Sequence, residues 1–99
     1  MADPDPLSSL TLAHFAPHIG QSFTLNSEQA PASLRLLSAQ SSHHPQHTGR
    51  QGFSLVFAGQ TELTQSVHRL VHPSLSVLDI FLVPIGPGEQ GQEYEAIFN

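Results

Sequence analysis

From Phe53 onward the chain is a series of alternating segments, with nothing between them long enough to be a helix. FSLVFAG (Phe53–Gly59) puts Phe53, Leu55 and Phe57 on one side. SVHRLVH (Ser66–His72) follows, then LSVLDIFLVPIG (Leu75–Gly86), then EYEAIFN, where Tyr94, Ala96 and Phe98 alternate with Glu93, Glu95 and Ile97. Successive side chains of an extended backbone point to opposite faces, so a period of two marks a strand laid on a core. The joins are QTELTQ, which reads as a turn or a single helical turn, a His-Pro-Ser turn after Val71, and a glycine-rich stretch, Gly86 to Gly91. Short strands joined this tightly pair antiparallel. The prediction is an all-β fold with a minor α part: a small antiparallel barrel or sandwich of about six strands.

The first half supplies the remaining elements. SLTLAHFAPHIG offers a capping Ser8 or Ser9 and apolar Leu12, Phe15 and Ile19 at helical spacing, while Pro17 and Gly20 limit the helix to about two turns. QSFTLN alternates as a strand does, with Phe23 and Leu25 on either side of Thr24. Ala32–Ala39, carrying Leu34, Leu36 and Leu37, reads as a strand with a helix as the alternative. SAQSSHHPQHTGRQG is a polar loop by composition. Residues 1–7 are polar and proline-rich and are expected to be disordered, which makes 8–99 a single β-domain. No internal repeat is visible. The run from Leu75 to Val83 is apolar on both faces except at Asp79, so it is expected to lie centrally. One face would fill the core, and the N-terminal helix or a second subunit would cover the other.

Ninety-nine residues allow one modest core, and the absence of cysteine removes disulfides and thiolate metal sites as supplements to it. The chain contains no lysine, and its three arginines, Arg35, Arg50 and Arg69, are scattered. Neutralising phosphate needs clustered cations, so nucleic acid and anionic membrane surfaces are disfavoured as partners. No apolar run approaches a membrane span. MADPDPLSSL lacks a basic region followed by an apolar one, so a cytoplasmic location is expected. The seven histidines make the chain markedly less acidic below pH ~6.

Several patterns invite a chemical reading. Gly86-Pro-Gly88-Glu-Gln-Gly91 matches the phosphate-cradling G-x-G-x-x-G. That loop must open a helix, whose N–H groups bind the pyrophosphate. Here an alternating strand follows, Pro87 removes a donor and Glu89 adds negative charge, so a hairpin turn is expected and no cofactor. His43, His44 and His47 are weak candidates for a metal site. Imidazole binds zinc, copper or nickel, yet this spacing fits no established signature and no carboxylate accompanies it. His68 and His72 would share a helix face, but on a strand they lie roughly 13 Å apart, too far for one ion. They are assigned instead to a surface or interface. His14 and His18 read as capping or surface groups. Glu93 and Glu95 share a strand face roughly 6.5 Å apart, a separation found in glycosidases. The opposite face of that strand is apolar, which makes theirs the solvated one. With no cysteine and no G-x-S-x-G elbow, no catalytic residue is expected.

LAHFAPHIGQSFTL, FSLVFAG and the long C-terminal stretch from His68 together resemble a family of short uncharacterised bacterial proteins. Its recognisable blocks are a His-Pro turn, here His72–Pro73, a Phe-Leu-Val-Pro-Ile-Gly strand end, here Phe81–Gly86, and a Tyr-Glu-Ala-(Ile/Val)-Phe-Asn terminus, here Tyr94–Asn99. His68 stands where that family has an aromatic residue. The resemblance implies no activity or ligand. It does imply that members are encoded near phage-tail-collar-like proteins. The resulting expectation is a non-enzymatic β-domain acting through protein–protein contact, as an accessory or assembly factor for a tail-like or fibre-like partner, with a homodimer as one form. Its contact surface is expected on free edge strands and on the outer face of the long strand, at Leu78, Ile80 and Leu82 with His68 and His72. The alternatives are a histidine-dependent metal-binding protein or metallohydrolase, and a barrel that binds a small ligand, although the many Phe and Leu residues argue for a filled interior.

Overall fold

The computed structural model describes residues 11–25, 32–41 and 52–98. The expected disordered start at residues 1–7 lies outside the described residues, as does most of the polar loop, with His43, His44 and His47. The chain opens with α1 (Leu12–Phe15), a single turn that continues as a 3-10 turn over Ala16–His18. Thr11, rather than either serine, is the N-cap. His14 takes the part a glutamate usually plays: its Nδ1 accepts the Thr11 backbone N–H at 2.9 Å. Six strands follow: β1 (Ser22–Leu25), β2 (Ala32–Ser41), β3 (Phe53–Gly59), β4 (Ser66–His72), β5 (Ser76–Gly88) and β6 (Gly91–Phe98). The doubtful segment at Ala32–Ala39 is a strand, and Gly86-Pro-Gly88 belongs to β5, leaving Glu89 and Gln90 as the hairpin tip.

The strands close into an antiparallel barrel in the order β1-β2-β3-β6-β5-β4. Two three-strand meanders are joined by the β3–β6 and β1–β4 pairs. Exchanging β1 with β4, β2 with β5 and β3 with β6 leaves this set of pairs unchanged. The middle strand of each meander carries an irregularity against the third: between Leu36 and Ser38 in β2, and between Pro84 and Gly86 in β5. An extra residue at such a point bends and twists the strand, which a sheet needs in order to close. Closure overturns the expectation of free edge strands, because every strand has a neighbour on both sides. The weakest seam is β1–β4, with Thr24 opposite Val71 and Leu25 opposite Leu70.

Alternation decides what lies inside. Phe23, Leu34, Leu36, Leu55, Phe57, Leu70, Ile80, Leu82 and Tyr94 are fully buried and fill the interior. Phe23 meets Phe57 edge-on with ring centroids 5.3 Å apart. At one end, Phe15 lies 5.8 Å from both Phe53 and Phe98, whose own rings stack at 4.6 Å. The N-terminal helix therefore plugs the end of the barrel and does not cover the outside of β5. The chain is turned away immediately afterwards: Gly20 donates its N–H to the Leu36 carbonyl, and Leu36 donates back to Gln21. That exit leaves Ile19 on the surface, so only Leu12 and Phe15 of the expected apolar stripe pack on the core.

The opposite mouth is closed by the β3–β4 connection, held by Tyr94. Its hydroxyl donates to the Thr61 carbonyl and accepts the Leu63 N–H, both at 2.8 Å. Tyr94→Phe keeps the packing and removes both bonds. It is expected to cost about 1–2 kcal/mol in urea denaturation and to speed hydrogen exchange at the Leu63 amide. Unchanged exchange at Leu63 would refute the tether.

Candidate functional site

The outward side of β4 and β5 is a ladder of facing pairs. Val67 lies opposite Phe81, Arg69 opposite Asp79, and Val71 opposite Val77. Val67 (58%), Phe81 (50%) and Val77 (50%) are half exposed or more, and Ile97 on β6 (60%) and Ile85 at the β5 bulge (49%) extend the apolar surface. Half exposure of large apolar side chains on one side of a small domain is unusual unless something covers them. The middle rung is ionic. Arg69 Nε donates to Asp79 Oδ1 at 2.8 Å, and Nη2 donates to Oδ2 at 3.2 Å. This hydrogen-bonded pairing holds the Asp79 carboxyl below its usual range and raises the already high Arg69 pKa. Both side chains stay about half exposed, so the pair is open to salt and water.

The residues expected on the outer face of β5 lie on its inner face. Leu78, Ile80 and Leu82 point into the core and are almost fully buried, so they are not available to a partner. The run is apolar on both faces except at Asp79, whose place beside Val77 and Phe81 hints that this set faces water, but alternation alone does not say which set is inside. Its pairing with β4 does, because Leu78 lies opposite the buried Leu70. The exposed set is Val77, Asp79 and Phe81.

His68 and His72 do share a face, but it is the inner one. His68 is half-buried near the Tyr94 mouth, and its Nε2 donates to the Thr64 carbonyl at 2.7 Å. His72 is buried at the Phe15 end, so it too is removed from any contact surface. Its Nδ1 accepts the Ser74 N–H at 3.0 Å, which places the proton on Nε2, and Nε2 donates to Gln21 Oε1 at 2.8 Å. His18 Nδ1 meets the same oxygen at 2.9 Å, and the two imidazoles lie 4.4 Å apart between centroids. The His18–Gln21–His72 group locks the β4–β5 turn to the segment after α1. It is a poor ligand set for a metal. Binding an ion through His72 Nε2 would move the proton to Nδ1, against the Ser74 N–H. Among the described residues, no three His, Cys, Asp or Glu side chains gather around one point.

Burial, followed by the nearby His18 charge, lowers the His72 pKa. Protonation also sets N–H against N–H at Ser74. A histidine with a depressed folded pKa contributes stability that is complete above its unfolded value of about 6.5 and is lost as pH falls. Stability measured by urea melts is therefore expected to drop between pH 7 and 5. His72→Phe should be less stable at pH 7 by about 1–2 kcal/mol and show a shallower pH slope. Parallel slopes for the two proteins would remove His72 from the acid response.

At the Tyr94 mouth, an open depression of about 370 Å³ is lined by Glu62, Leu63, Thr64, Pro84, Gln92 and Tyr94. Both bonds of the Tyr94 hydroxyl are spent on the loop backbone, and Glu62 is the one carboxylate in this lining. Glu93 and Glu95 lie on the outer side of β6, opposite Gly86 and Val83. Neither faces this depression.

A family model described as "Domain of unknown function (DUF6916)" matches residues 10–98. The chain belongs to this family. No curated protein and no solved structure matches the chain. The blocks through which the sequence resembles its family have structural tasks here. His72–Pro73 forms the locked β4–β5 turn, Phe81–Gly86 carries the β5 bulge, and Tyr94 anchors the loop over the mouth. Gln21 was missed by sequence reading, since a lone glutamine before a strand carries no signal until the turn at His72 is brought beside it.

Proposed function

We propose that this domain is non-enzymatic and works by protein–protein contact through the outer face of β4 and β5. The observation that carries this reading is the set of half-exposed apolar side chains, Val67, Val77 and Phe81, beside a filled interior. Each leaves apolar area in water that a partner surface would remove at about 25 cal/mol per Å². The polar clusters serve structure: His72 and Tyr94 spend their hydrogen bonds on backbone and on Gln21, and among the described residues no three His, Cys, Asp or Glu side chains gather around one point. An accessory or assembly role in a tail-like or fibre-like structure follows from the family resemblance, and a cytoplasmic location suits it. No helix among the described residues is long and apolar enough to cross a membrane.

Phe81→Glu tests the reading. Phe81 is half exposed and points away from the core, so the melting temperature is expected to stay within a few degrees of wild type. Capture of the native partner from the host is expected to fall at least ten-fold. Equal capture by the folded variant would show that this face is not the contact surface.

A further inference from the structure

The most informative feature of the exposed face is its ionic middle rung. A purely apolar partner laid on β4 and β5 would strip water from Arg69 and Asp79 and return nothing, a cost that typically exceeds what the flanking valines contribute. The occupant must therefore present an acid and a base of its own, at the spacing of two neighbouring strands and between two apolar rungs. One surface meets that description: the same hairpin of another copy.

We propose that the occupant of this face is a second copy of this chain, related by a two-fold axis that runs along the β4–β5 hairpin between its strands. This inference rests on the reading that the domain acts through protein contact at this face. Such an axis sets each rung against the same rung of the partner with its members exchanged. Arg69 of each copy then lies over Asp79 of the other, Val67 over Phe81, and Val71 over Val77. Two of the five guanidinium donors are engaged within the chain, which leaves donors to bridge to the second carboxylate. The four charges alternate in sign around a square, so each is paired twice. An axis across the strands would instead set Arg69 on Arg69 and Asp79 on Asp79. Electrostatics thus favours the axis along the strands over the one across them.

The size of the contact sets its strength. β4 and β5 pair over seven residues each, about 24 Å, and the barrel curves away on either side of them. The buried area is below the ~800 Å² per partner of a standard interface. The association is therefore expected to be weak.

Sedimentation equilibrium of the full chain tests the proposal between about 1 μM and 1 mM, with thermal melts confirming that each variant is folded. The mass is expected to rise from the 10.7 kDa monomer towards twice that value. Arg69→Asp alone and Asp79→Arg alone each set like charges together, and each is expected to weaken self-association at least ten-fold. An equimolar mixture of the two variants sets opposite charges across the interface, while each chain's own pair is like-charged, and should recover association as a heterodimer. If either swap fails to fold, Phe81→Glu provides the loss of association and Arg69→Gln the loss of the charge. Wild type that remains a monomer at 1 mM overturns the inference, as does self-association indifferent to all of these changes. The parent reading is judged separately. A monomer whose host partner is still lost on Phe81→Glu leaves the contact face in place under a different protein, whereas a monomer with unaffected capture removes both.

Discussion

Gly91→Ala is expected to destabilise the domain by about 3 kcal/mol or more. Two costs coincide at this residue. Its φ of 119° lies in a region that side-chain-bearing residues rarely adopt. A Cβ there would also overlap the Gly59 carbonyl, a backbone group that cannot swing aside. Gly59 in turn is held against β2, where its own Cβ would meet Leu34 Cδ2 at 2.6 Å and the Ser33 carbonyl at 2.9 Å. The start of β6 thus sits where β2 and β3 come closest, and displacement of Gly91 reaches across the sheet. The neighbouring glycines form a graded control. Gly86→Ala meets strain at φ 121° but open space, which predicts about 1–2 kcal/mol. Gly88→Ala meets only the mobile end of Glu93 and should cost within about 0.5 kcal/mol. Urea denaturation of the three variants decides it. Equal costs for Gly86 and Gly91 would mean that the close approach to Gly59 contributes nothing.

Phe15→Ala is expected to cost about 3–5 kcal/mol, the range for emptying a buried phenylalanine site. Phe15 is fully buried and joins the stacked Phe53 and Phe98 at the barrel end. The helical turn that carries it has four residues, far too few to persist without tertiary packing. The variant should therefore lose the segment as a unit. Amides from His14 to Gly20 are expected to exchange near the unprotected rate, while those of β3 and β6 remain slow wherever the barrel is still folded. Loss of stability without faster exchange in the helical segment would show that the turn is held by Gly20 and Leu36 rather than by its phenylalanine.

Much of the barrel was legible in local pattern. Strand segments at Phe53–Gly59 and Ser66–His72 follow from alternation, and the inward set Tyr94, Ala96 and Phe98 follows from the charges between them. The hairpin at Glu89–Gln90 follows from glycine and proline on either side of a strand reversal. The exposed face of β5 was only half legible. In β5 both alternating sets are apolar except at Asp79, and that carboxylate, in step with Val77 and Phe81, was a local sign that Leu78, Ile80 and Leu82 face inward. The histidines misled for a different reason. A strand period shows that His68 and His72 share a face without showing that the face is internal, or that Ser74 and Gln21 wait there to bind His72.

The division between the two kinds of information has a physical cause. Alternation, glycine and proline placement and charge spacing act within a few residues, so the order of β-strands, their turns and the all-β class can be read from the chain alone. Closure, the sense of β5, the plug by Phe15 and the approach of Gly59 to Gly91 depend on residues far apart in sequence meeting across the sheet. Pairing β1 with β4 removes the edges that any open sheet would have offered. The exposed apolar side chains then include those on the outer face of the β4–β5 hairpin, where the register sets Arg69 beside Asp79 between two apolar rungs.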